Sequence, residues 1–113
     1  MARTLIHRRK KGDRAPALTL QALDLAGDPL DLTGATSPVF LMRLLGASAN
    51  TVDRATATVV DASTGVVSYS FAAADVDTPG TYRAEFEVTL SGLPLTIPGD
   101  DQELHVVITD DLG

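Results

Sequence analysis

Few side chains in this sequence have the type and spacing that chemistry needs. Histidine, which titrates near neutral pH, occurs only as His7 and His105. His7 stands in a basic run, and His105 alternates with Leu104, Val106 and Ile108, which turns it toward solvent or a partner. A Ser/His/Asp triad can be drawn on paper, but no nucleophile elbow surrounds any serine. The acid pairs Asp100-Asp101 and Asp110-Asp111 carry oxygens suited to calcium, yet lack the shaped Asp-x-Asp-x-Asp-Gly loop; Asp75-Val76-Asp77 comes nearest. With no cysteine, thiol catalysis, disulfides and Cys-ligated zinc or iron–sulfur are excluded. Gly27, Gly34 and Gly65 are separate turn glycines and form no phosphate loop. No catalytic residue, metal ligand or cofactor is expected.

Charge is more informative. The net charge of −6 conceals a division: six of nine basic residues, Arg3, Arg8, Arg9, Lys10, Lys11 and Arg14, fall in the first fourteen positions. The remainder holds fourteen of the fifteen acids. Successive like charges with only Leu5-Ile6 for apolar surface predict a flexible, extended basic arm over residues 1–14 that meets an acidic partner. Arg3, Leu5, Ile6, Arg8, Arg9, Lys10 and Lys11 are its candidate partner-binding residues. An acidic protein surface is the favoured partner, a neighbouring copy's anionic body being one such surface, and Leu5-Ile6 is suited to adding a strand to a sheet edge. A solvated tail without a role is the second reading, and contact with nucleic acid the weakest, since the arm has no aromatic for base stacking.

The elements that must position these groups read as strands. No apolar run reaches the length of a signal peptide or membrane span, so the chain reads as soluble and not exported. From Pro16 onward, short apolar or alternating runs are separated by turn residues. Strands are expected over 17–25, 39–44, 54–60, 66–71, 82–90, 93–97 and the segment holding Leu104, Val106 and Ile108. A helical turn is expected at Ala72–Asp75 and a hairpin loop over Asp61–Gly65. The clearest strand puts Tyr82, Ala84, Phe86, Val88 and Leu90 on one face, with Arg83, Glu85, Glu87 and Thr89 on the other. About seven strands predict an all-β, two-sheet immunoglobulin-like sandwich over 15–113. In such sandwiches a tyrosine near the start of strand F ties the inter-sheet crossing to upstream backbone. Asp77, Gly80 and Tyr82 occupy that place.

The segments Asp31-Leu32-Thr33-Gly34-Ala35-Thr36, Phe40-Leu41-Met42-Arg43, Gly65-Val66-Val67-Ser68-Tyr69 and Gly80-Thr81-Tyr82-Arg83-Ala84-Glu85-Phe86-Glu87-Val88 together resemble the N-terminal domain family of the phage baseplate upper protein. Ser37-Pro38 interrupts the family pattern and predicts a displaced strand start. The chain also stops at Gly113, short of the larger C-terminal regions of baseplate proteins. The resemblance implies a non-enzymatic virion building block of a tailed phage, assembled in the host cytoplasm as a symmetric homo-oligomer beside other virion proteins. Tail or baseplate, neck and capsid surface are the stations it leaves open. The alternative is a free-standing module for a cell-surface or carbohydrate ligand, disfavoured because Tyr69, Phe71 and Phe86 alternate inward.

Overall fold

The alternation of residues 80–90 dictates the centre of the molecule. In the computed structural model, which describes residues 3–99 and 102–110, nine strands form two sheets. In chain order they are β1 (Arg3–Lys10), β2 (Leu18–Gln21), β3 (Thr36–Leu44), β4 (Val52–Thr56), β5 (Thr58–Asp61), β6 (Val66–Tyr69), β7 (Gly80–Leu90), β8 (Leu93–Ile97) and β9 (Gln102–Thr109). The larger sheet runs β1-β9-β7-β3-β4, with β8 also on β7; the smaller runs β2-β6-β5. One short 3-10 helix, Ala73–Val76, lies on the crossing from β6 to β7.

The core lies between the sheets. Tyr82, Ala84, Phe86 and Val88 of β7 are buried beside Leu104, Val106 and Ile108 of β9 and Phe40 and Met42 of β3. From the smaller sheet come Leu18 and Val67, with Tyr69 stacking on Phe40 at 4.4 Å between centroids. Phe40 also meets Phe86 edge-on at 5.0 Å, so one ring joins both layers. All five aromatic rings are buried.

Turn chemistry sets the registers. Ser91 and Gly92 both have positive φ, 53° and 79°, the backbone of a two-residue hairpin whose twist matches its strands, and Leu90 faces Leu93 across it. At Gly65, φ is 75° and a Cβ would collide with the carbonyl oxygens of Leu30 and Ala22. Only glycine fits that crossing.

Several expectations change. The single strand expected over 54–60 is two strands, because Ala57 turns into the core, donates its N–H to Pro38 at 2.9 Å, and carries the chain from one sheet to the other. The strand expected over 17–25 is a strand only from Leu18 to Gln21, followed by an isolated bridge of Leu23 to Pro29, since Asp24 folds the next residues into a loop. The third concerns the basic arm: from Arg3 to Lys10 it is a full strand, paired in parallel with β9 from Arg3 beside Gln102 to Lys10 beside Thr109. The displaced strand start expected at Ser37-Pro38 does not occur: β3 already begins at Thr36, and the two residues are taken up inside the strand as an irregularity that shifts the β3–β7 register between Thr36 and Val39.

Candidate functional site

A strand at the margin of a sheet has one free row of backbone groups, and β1 holds that position beside β9. Its alternation explains why a basic segment settles there. Leu5, His7 and Arg9 turn inward, while Thr4, Ile6, Arg8 and Lys10 are exposed. The inward set is mostly polar, so β1 is held by directional contacts more than by apolar burial.

Arg9 is the anchor, at only 8% exposure. Its guanidinium donates to the carbonyl of Asp13 at 2.9 Å and that of Pro16 at 2.6 Å. It lies 4.3 Å over the Phe71 ring, a cation–π contact, and its Nε donates to His7 Nε2 at 3.2 Å. Burial lowers the Arg9 pKa, opposed by the carboxylate of Asp13. Burial also lowers that of His7, and the Arg9 charge lowers it further, so His7 is held neutral as an acceptor. Beyond the strand, Arg14 Nε donates to the Phe71 carbonyl at 3.0 Å, Lys11 N–H to Thr109 at 2.7 Å and Gly12 N–H to Val76 at 2.8 Å.

Of the candidate partner-binding residues, Arg3, Ile6, Arg8, Lys10 and Lys11 are exposed. Leu5 is half-buried against the core and Arg9 is enclosed, so these two belong to the fold's own contacts. A buried arginine was hidden in the sequence by its basic neighbours. The alternation of Leu5, His7 and Arg9 is the signal that would have found it.

On the opposite side of β9, the Tyr82 hydroxyl donates to the Thr78 carbonyl at 2.6 Å, four residues upstream. Burial raises its pKa, with a further push from Asp77. Asp77 caps the 3-10 helix and accepts from the Thr78 hydroxyl at 2.9 Å; Gly80 begins β7 beside Ile108. Asp75, nearest to a metal motif in sequence, instead turns inward. Its Oδ2 accepts from the Tyr69 hydroxyl at 2.6 Å and from Ala72 N–H at 2.8 Å. Burial, then the Asp75 hydrogen bond and charge, raise the Tyr69 pKa. His105 is half-buried and meets Glu103 at 3.0 Å. Of the acid pairs, Asp100, Asp101 and Asp111 lie outside the described residues, and Asp110 is exposed.

These surfaces can hold a partner by charge and by strand pairing. The family model of the BppU N-terminal domain matches residues 6–107 of the chain, from within β1 to within β9. No curated protein matches.

Proposed function

Because the chain belongs to the baseplate upper protein N-terminal domain family, we propose that it is a non-enzymatic structural module of a tailed-phage baseplate, assembled in the host cytoplasm. The single observation behind this reading is the family match, which takes in most of β1, an edge strand, and most of β9, which pairs with it. Residues 15–113 serve as a rigid block of immunoglobulin type, a reading supported by the Tyr82 hydroxyl on the backbone of the inter-sheet crossing. In that role Asp77, Gly80 and Tyr82 form the corner. Residues 1–14 serve as the docking element. Arg3, Ile6, Arg8, Lys10 and Lys11 present cations and one apolar side chain to an acidic neighbouring virion protein. The interior position of all five aromatic rings weighs against a stacking platform for sugars.

Immunogold labelling of purified virions from the source of the gene tests the reading. Label confined to the baseplate is the expected result. Label on the neck or capsid, or protein found only free in the host cytoplasm, overturns it.

A further inference from the structure

The outward face of β3 and β7 contains an unusual pairing. Arg43 and Arg83 stand directly opposite one another across the two antiparallel strands. Like charges in that relation repel, at a cost that an anion between them would offset. Arg83 has partial compensation from Glu103 at 3.6 Å. Arg43 donates to the neutral Asn50 Oδ1 at 2.8 Å and has no carboxylate partner among the described residues.

Both arginines line an open cavity of about 410 Å³. Leu41 and Leu45 supply apolar wall, Asn50 and Glu85 the remaining polar groups, and Leu45 is 51% exposed. The hollow therefore suits an occupant with an apolar tip and carboxylates beside it.

One loop of the chain has that composition. Leu25 is 84% exposed, with Asp24 and Asp28 on either side of it and no cation in the loop between them. The loop is held in shape by its own backbone and by the Asp24 side chain. Asp24 N–H donates to the Asp28 carbonyl at 2.8 Å, and Asp24 Oδ1 accepts from the N–H groups of Ala26 at 2.9 Å and Asp28 at 3.0 Å. The tip is thus ordered before it meets anything, which lowers the entropic cost of docking.

Loop and cavity lie toward opposite ends of the molecule. Leu25 flanks a small hollow with Arg3 and Gln102, where β1 and β9 begin; the cavity reaches Leu45, whose N–H meets Thr81 near the start of β7, the end that pairs with the close of β9. A contact between two different surfaces on identical chains is heterologous and propagates into a ring or a row.

We propose that a second copy of this chain occupies the cavity, its Asp24–Asp28 loop placing Leu25 against Leu41 and Leu45 and its carboxylates beside Arg43 and Arg83. The inference rests on the reading of the protein as an assembly module and names one contact between copies. It uses a surface other than the outward face of β1, although Arg3 at the start of β1 lines the hollow beside the loop.

Sedimentation velocity of the full chain, over a concentration series at low ionic strength, tests it. The mass is expected to rise above the monomer with concentration and to fall back as salt screens the charges. The double variant R43E/R83E and the double variant A26K/D28K, all at exposed positions and with the Asp24 carboxylate left to hold the loop, should each weaken self-association by roughly tenfold or more. Far-UV circular dichroism checks that each remains folded. Mixing the two variants should restore association of alternating copies, because the reversed cavity then takes the reversed loop and the untouched cavity the untouched loop. A wild-type chain monomeric throughout overturns the proposal, as does self-association unchanged in R43E/R83E or a mixture that stays monomeric. Baseplate labelling together with a monomeric chain would remove this contact and leave the function proposed above intact.

Discussion

β1 and β7 flank the same strand, β9, and are held there by different physics. β7 pairs with it antiparallel and buries Tyr82, Ala84, Phe86 and Val88. β1 pairs parallel and turns Leu5, His7 and Arg9 inward, with Arg9 satisfied by two carbonyls, an imidazole and an aromatic face. One attachment depends on apolar area, which is insensitive to pH and salt near neutrality. The other depends on a few directional contacts, one of them titratable. A sheet can therefore carry a permanent centre and a conditional margin through a single shared strand.

The largest expected effect lies on the permanent side. Phe86→Ala removes a fully buried ring and should cost about 3–5 kcal/mol, lowering the denaturant midpoint of the whole molecule. A loss confined to a few amides would break the comparison. On the conditional side, Arg9→Ala removes charge-assisted hydrogen bonds and should cost about 1.5–3 kcal/mol. Hydrogen exchange should show β1 amides losing protection while those of β7 keep theirs. Equal loss in both strands would mean that the margin is as integral as the centre.

Tyr82→Phe, which deletes the bond to the Thr78 carbonyl but keeps the ring, should cost about 1 kcal/mol, read from thermal or denaturant unfolding. The smallest effect comes from acidification. The folded-state pKa of His7 is depressed, so the folded state binds fewer protons than the unfolded one below the ordinary histidine value of about 6.5. Its contribution is present above that pH and fades as pH falls through the lowered value. A protonated His7 would lose its acceptor nitrogen and face Arg9 as a second cation. Amide exchange in β1, measured from neutral to mildly acidic pH, should rise earlier than in β7; a parallel rise in the two strands would remove His7 from the account.

What could be read from the sequence follows the same division. Strict alternation from Tyr82 to Leu90 gave the centre of the larger sheet, and Val67, Tyr69 and Phe71 gave the inward face opposite, because apolar side chains reveal which way a strand faces. β1 was concealed by that same rule: two of its three inward side chains are polar, and a run of cations resembles a solvated tail. The change of sheet at Ala57 had no signal either, since alanine suits an interior and an exposed position equally well. The Arg43–Arg83 opposition requires the β3–β7 register, which the turns alone do not determine.

The parallel pairing of β1 with β9 has a mechanical consequence. Arg3 lies beside Gln102 and Lys10 beside Thr109, so the chain enters at one end of this pair and leaves at the other, eight residues or roughly 26 Å along. Tension applied through polypeptide joined before Arg3 and beyond Thr109 would load the evenly spaced rungs of the pair together, in shear, rather than peel them one at a time. Strands loaded in shear share the force among all their hydrogen bonds. A margin whose inward side chains are mostly polar is thereby placed where a pulling force meets stiff resistance.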